Sequence, residues 1–419
     1  MGSASALQGQ IGQVFTPTPL LEKTAQTSSE ELLWYDAWVR RQIKAQPQEL
    51  FSVVSIPEHS AEHLCLAIWR EVAAAASSPK ASVDTILSSL LHQRLLKADT
   101  DEGTVIRSRN LVFTIVGWQT MLYKSAVDTC PPAQLAIVDE TDQYRGRGHI
   151  KLRESQRSCG KPLHELLLGF GVMLPPREPI GMETHEVREA LRKYTRVSPK
   201  SFNAHLLAKI SGISIRWTDS LACHLEFDPS KCYLYLFRFP SFCVANLVGS
   251  GHQPIETTIH ACAAPKLSAS PWASPEEVDD LLQEVLRSYR LLFGQDKRSR
   301  KYFRNISPFE DLDEYCVDGV LMDICGRKQS IIPIDHSQEL DEYILSSTFP
   351  VLRGKIVTLI QHLSSTRPRT WKEIWHDKRD SASWFTFWAV LIIGGIGILL
   401  AFLQVVLQIV QIMLQVKNG

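Results

Sequence analysis

Residues 384–416 read WFTFWAVLIIGGIGILLAFLQVVLQIVQIMLQV, and this stretch decides the architecture. From Ser381 to Val416 there is no Asp, Glu, Lys, Arg or His, and Trp384 to Leu403 is an unbroken run of twenty apolar, small or singly hydroxylated residues. A helix rises about 1.5 Å per residue, so such a run matches a hydrocarbon core of roughly 30 Å. Trp384 and Trp388 stand at its leading edge, where amphipathic rings favour the membrane interface. A central helix of a soluble domain rarely reaches this length without a charge. The expectation is therefore a transmembrane tail helix over 384–416.

The flanks orient it. Arg367, Arg369, Lys372, Lys378 and Arg379 precede the span, and only Lys417 follows it. Positive side chains stay in the cytosol, so the sequence predicts a single-pass, tail-anchored membrane protein whose N-terminal body faces the cytosol. Within the tail, Gln404, Gln408, Gln411 and Gln415 are spaced four, three and four and share one helical stripe, which Gly397 and Ala401 extend. Small residues let helices approach, and amides hydrogen-bond across the contact at roughly 0.6–2 kcal/mol each, so the stripe is a candidate helix–helix packing face for a homo-oligomer. The alternative is that the span ends near Leu403 and the glutamines lie in water on an amphipathic extension. A helix over 384–416 is about 50 Å long and needs tilt or exit.

Outside the tail the composition is that of a soluble protein. The 419 residues carry 45 Lys+Arg and 45 Asp+Glu, all but Lys417 of them in 1–380. Zero net charge lacks the basic excess of a nucleic-acid binder, and 44% hydrophobic residues exclude a wholly disordered chain. Met1 to Gln10 shows neither the basic nor the apolar region of a signal peptide, and Ala6 stands where a myristoylation motif needs Ser or Thr. Nine cysteines, odd in number and without CxxC, fit reduced thiols.

The fold class expected is α+β: a helix-rich cytosolic body with a small β-hairpin-containing module, plus one C-terminal transmembrane helix. Its parts are a flexible arm (1–27), a mixed α/β body (28–265), a helical block (272–363), a basic juxtamembrane segment (364–383) and the tail (384–416). Ser28 and Glu31 form a capping box ahead of Leu33, Trp34, Ala37 and Trp38 at helical spacing. Val83, Ile86, Leu87, Leu90, Leu91 and Leu95 mark a second amphipathic helix. Leu111 to Tyr123 is continuously apolar, and its periodicity does not separate helix from strand. Ile213 to Trp217 alternates, while Leu225 to Asp228 and Cys232 to Phe239 read as strands joined by an Asp-Pro turn. With a helical Phe202 to Ile210 before them these strands fit a winged-helix order, but a hairpin tip whose one cation is Lys231 favours a packing or interaction module. Ser274, Pro275 and Glu277 open a helix with Val278, Leu281, Leu282, Val285, Leu286, Tyr289, Leu292 and Phe293 on its apolar face.

Motifs that carry chemistry are scarce. There is no GxSxG elbow, Walker loop, HExxH or kinase signature. Gly146 and Gly148 among Arg145, Arg147, Lys151, Arg153 and Arg157 read as a solvated loop rather than a phosphate cradle, because the third glycine is missing. Cys223, His224, Cys232, Cys243, His252, His260 and Cys262 lie close in sequence, yet their irregular spacing favours core thiols over zinc. No catalytic, cofactor-binding or metal-ligating residue is assigned, and no cofactor. Lys297, Arg298, Arg300 and Lys301, followed by Tyr302, Phe303 and Arg304, join the juxtamembrane cations as candidate contacts with anionic headgroups. The favoured competing expectation is internal neutralisation by Glu310, Asp311, Asp313, Glu314 and Asp318.

Several strings resemble a family of membrane-anchored proteins of filamentous fungi with no established activity. They are LVFTIVGWQTMLY (111–123), LLLGFGVMLP (166–175), WTDSLACHLEFD (217–228), LFRFPSFC (236–243), SYRLLFGQDKRSR (288–300) and WKEIWHDKRDSASWFTFWAVLIIGG (371–395). The resemblance implies a fungal source and a membrane tail, and brings no reaction or substrate. The function expected is that of a non-enzymatic interaction or adaptor protein held at the lipid bilayer, with a protein partner and no nucleic acid. The alternatives are a membrane-acting or signalling oligomer assembled through the tail, and an enzyme with an unrecognised site.

Overall fold

Three aromatic rings at the start of the chain's first described helix tie it to the centre of the molecule. In this computed structural model, which describes residues 33–55, 61–76, 78, 80–99, 101–141, 151–172, 185–247, 257–263, 275–312, 316–328, 339–366 and 381–418, α1 (Leu33–Ala45) carries Trp34, Tyr35 and Trp38. All three are buried. Trp34 Nε1 donates to Ser241 Oγ at 2.6 Å, Tyr35 OH to Trp118 O at 3.0 Å and Trp38 Nε1 to Asp219 at 3.1 Å. A buried ring donor left without such a partner costs about 1–3 kcal/mol, so the three bonds fix the helix in orientation as well as position. Trp34 also stacks on Phe239, centroids 4.1 Å apart. The expected arm, the Ser28 capping box, the Ser274 cap, Gly146, Gly148, His252 and the cations 367–379 lie outside the described residues.

Helices α2 (Ala61–Ala76), α3 (Val83–His92) and α4 (Glu102–Thr120) pack on one another. α3 buries Val83, Ile86, Leu87 and Leu90 as the spacing predicts, and Ser82 and Thr85 cap it reciprocally. α4 settles the ambiguous apolar run as helix. Asp101 caps it through the Thr104 N–H at 3.1 Å, and every residue from Leu111 to Thr120 is buried. A helix buried all round shows no amphipathic period. At Gly117 a Cβ would lie 2.8 Å from the Tyr123 ring and 2.9 Å from its carbonyl oxygen, so glycine there lets the chain fold back beyond Met121, which adopts φ 48°.

The middle of the chain supplies small sheets. β1 (Gln134–Ala136) and β2 (Arg153–Ser155) pair antiparallel. Then follow α5 (Leu163–Gly169), α6 (His185–Lys193), β3 (Arg196–Val197) and α7 (Ala204–Ile210). β4 (Ser214–Thr218), β5 (Glu226–Asp228) and β6 (Tyr233–Phe237) form a sheet of order β4-β6-β5. The expected hairpin is β5–β6, with Glu226 opposite Tyr235, and its tip is an Asx turn in which Asp228 accepts from the Ser230 and Lys231 N–H groups. β4 docks parallel to β6, Ser214 opposite Tyr233. All three residues of β5 are buried, so the hairpin does not project as a DNA-reading wing.

After α8 (Pro240–Asn246) and α9 (Thr258–Ala261), the long α10 (Pro275–Tyr289) runs into a π turn, Arg290–Gly294. Its eight expected apolar residues, Val278 to Phe293, are all buried. Next come α11 (Lys297–Asn305), α12 (Gly319–Gly326), β7 (Tyr343–Ile344), which pairs antiparallel with β3, then α13 (Leu345–Thr348) and α14 (Arg353–Ser365). Two buried charges from the α10 region cap neighbouring helices. Glu284 accepts the Val351 and Leu352 N–H groups at 2.8 and 2.6 Å, just ahead of α14. Arg290 donates to the carbonyls of Ile324, Arg327 and Lys328 at the end of α12, at 2.7–3.0 Å. Helix ends leave such groups unsatisfied unless a side chain reaches them.

The chain divides into two compact units, Met1–Ser365 and Thr366–Gly419. One hydrophobic core in the first unit runs from Trp34 to Leu363. The second holds α15 (Ser381–Asn418), 38 residues in one helix, about 57 Å long. Its segment Trp388–Leu414, 27 residues containing an 18-residue window of mean hydropathy 2.8, is long and apolar enough to cross a membrane. The protein as a whole is helix-rich, 62% helical, with a few small sheets.

Candidate functional site

The side chains singled out from sequence fall on two exposed surfaces. On α15, Gly397, Ala401, Gln404, Gln408 and Gln411 are exposed and share one stripe; Gln415 lies on the same helix. Ile393, Ile398 and Phe402 around them are 70%, 75% and 69% exposed, part of a contiguous apolar surface of a kind that soluble monomers rarely expose.

On α11 the sequence KRSRKYFRN holds five cations and no acid. Asp296 caps the helix through the Ser299 N–H at 2.7 Å, and the inner face is pinned by Ser299 to Asn203 at 3.0 Å and by Phe303 against Trp217 and Phe293. That leaves Lys297, Arg298, Lys301 and Arg304 exposed, and none has an ion pair among the described residues. Arg300 differs: it is half-buried and donates back to Gly294 O. The internal neutralisation expected from sequence is not made by the described acids. Asp311 pairs with Arg238 at 2.7 Å, and Asp318 is buried as the cap of α12, accepting from Ser241, Val320 and Leu321. Residues at the corner between β6 and α8 reach these acids first.

Among the described residues, a cluster of charges lies where the parallel strands β4 and β6 end. Asp219 follows β4 and Arg238 follows β6, joined at 2.8 Å. Lys124 binds Asp219 at 3.1 Å and Glu140 at 3.0 Å, and Thr218 donates to Glu140. Carboxyl ends of parallel strands are where open sheets often bind ligands. Here the position is filled by the protein's own groups. Burial alone would raise Asp219, but Lys124, Arg238 and the Trp38 N–H hold its carboxyl below the ordinary value. Burial would likewise lower Lys124, yet Glu140 and Asp219 hold it above its ordinary value. The cluster is a closed clamp of α1 onto the sheet.

His224 and Ser288 meet side chain to side chain, Nε2 to Oγ at 2.8 Å. The Phe237 N–H donates to His224 Nδ1 at 3.3 Å, so Nε2 bears the proton in the neutral ring. Ser288 turns its own proton to Val285 O at 2.7 Å. The imidazole therefore gives a hydrogen bond to the serine and cannot take its proton, which a nucleophilic pair requires. Burial, helped by the Lys355 charge, holds the ring well below its ordinary pKa and neutral.

Cysteines and histidines near it are likewise committed elsewhere. Cys223 is buried, Cys243 and Cys262 are buried free thiols, burial pushing Cys262 up to about 12, and His260 engages Thr257 and Asp279. Among the described residues no group of three His, Cys, Asp or Glu side chains is placed to hold a metal ion. A groove of about 310 Å³ beside α6 is lined, among the described residues, by His185, Arg188, Glu189 and Arg192, successive turns of one helix. The cations expected from sequence are divided by the helical register: 297, 298, 301 and 304 share the exposed face, and Arg300 turns away from it. Compared with protein-family models, with curated proteins and with solved structures, the chain returns no match.

Proposed function

We propose that this chain is a single-pass, tail-anchored membrane protein that works as a non-enzymatic interaction or adaptor protein, with its body in the cytosol. The observation that carries the reading is α15: 27 consecutive residues within one helix, containing an 18-residue window of mean hydropathy 2.8, none of them buried. Burying that surface in lipid is favourable by about 25 cal/mol per Å² of apolar area. Orientation is supported by the five cations from Arg367 to Arg379 ahead of the helix against Lys417 after it. The cationic face of α11 adds a second surface that fits a bilayer, since a cation near anionic headgroups gains about 1 kcal/mol. An adaptor role is favoured over catalysis by the way the body's polar clusters close on themselves, leaving its surfaces to do the binding.

Carbonate extraction of cells expressing the full chain, or a version ending at Asp380, tests the anchor. The full chain should stay with the membrane pellet and the shortened chain should move to the supernatant, while protease added to intact organelles removes the body. Identical partition of the two chains would overturn the proposal.

A further inference from the structure

The geometry of the tail points to a partner of known identity: we infer that α15 pairs with a second copy of this chain, parallel and in register, along a seam from Gly394 to Gln415. The inference rests on the membrane reading above. Positions 394, 397, 401, 404, 408, 411 and 415 step by three and four alternately, which is a strict heptad sustained over three repeats. A period of 3.5 residues keeps one stripe facing a partner along a left-handed supercoil.

The chemistry of the seam selects its occupant. Between Trp388 and Leu414 the only carboxamide or hydroxyl side chains are Gln404, Gln408 and Gln411, and all three lie exposed on this stripe. An amide without a partner in hydrocarbon costs several kcal/mol. A carboxamide both donates and accepts, so the same glutamine on a second helix satisfies it. A second copy enters the membrane in the same direction, and in register it sets each glutamine layer against itself. The same register sets Gly394, Gly397 and Ala401 against their own counterparts, where a Cβ built on either glycine would meet nothing within 4 Å and small residues let backbones approach. An antiparallel pair would place the amides against glycines. α15 also continues unbroken through Leu403 and Gln404, which keeps the small and amide halves of the seam on one rod.

The test uses the full chain, labelled with donor or acceptor dye at its N-terminus and reconstituted in phosphatidylcholine vesicles. Changing Gln404, Gln408, Gln411 and Gln415 together to Leu should leave flotation with the vesicles intact and lower the association constant from energy transfer about twentyfold, the effect of losing three amide layers within the span. Leu399→Ala on the opposite face should change it less than about twofold. Because the tail has no cysteine of its own, Gln408→Cys should form an oxidative dimer that Val406→Cys does not. Undiminished energy transfer in the glutamine variant, or equal crosslinking at 406 and 408, would overturn the seam. Failure of the unmodified chain to float would instead overturn the membrane reading beneath it.

Discussion

Glu284 is buried on α10 with two backbone N–H groups aimed at its carboxylate, and burial, only partly offset by those N–H groups, pushes its pKa up to about 7 from 4.5. Between those two values the unfolded chain has lost the proton that the folded chain keeps. Stability therefore falls as pH rises through the window from about 4.5 to about 7, by an amount on the order of 3 kcal/mol, and is level above it. Glu284→Gln removes the titration. Urea unfolding of both proteins in mild detergent at several pH values between 4.5 and 7.5 should show the wild type losing stability relative to the variant; parallel profiles would mean that the carboxyl titrates normally. Asp219 shows the opposite case, its carboxyl held low by Lys124 and Arg238, so its contribution is lost only as pH falls through that lowered value. Neither role was legible in the sequence. The partners of Asp219 come from positions 38, 124 and 238, and no local pattern announces a contact made by chain closure.

Elements whose burial is one-sided were legible, and those with two-sided or non-local support were not. α3 and α10 present one apolar face to the core and appear in sequence at helical spacing; β4 appears through alternation and the hairpin β5–β6 through its Asp-Pro turn. α4 hides its period because it is buried all round, and the parallel docking of β4 on β6 depends on a crossover that no spacing encodes. The π turn at the end of α10 belongs to the second group. It brings Arg290 over Gly294, where a Cβ would collide with the guanidinium, and that guanidinium closes the end of α12. Gly294→Ala should displace the arginine, leave the carbonyls of α12 unpaired and lower unfolding free energy by roughly 2–4 kcal/mol. Gly319→Ala, where nothing lies within 4 Å, should stay within about 0.5 kcal/mol. Equal effects of the two changes in urea titrations would remove the steric account of the turn.

At the scale of the whole chain, the balance of 45 cations and 45 anions hides two unlike materials, and each was visible once the tail was read apart. Among the described residues, the hydrophobic core of the first unit runs from Trp34 to Leu363. A helix that completed a soluble core would have apolar side chains matched by that core; Ile393 and Ile398 instead stand 70% and 75% exposed. The consequence is quantitative. A chain ending at Thr366 should be soluble without detergent and should unfold in urea within about 0.5 kcal/mol of the full chain in micelles, with the same dependence on denaturant, because no buried surface has been removed. If instead the shortened chain aggregates, or loses more than about 2 kcal/mol with a smaller denaturant slope, then α15 serves the body as a core helix. Membrane attachment and the glutamine seam would fall with that result, since both need the apolar face of the tail to be free for lipid and for its own copy.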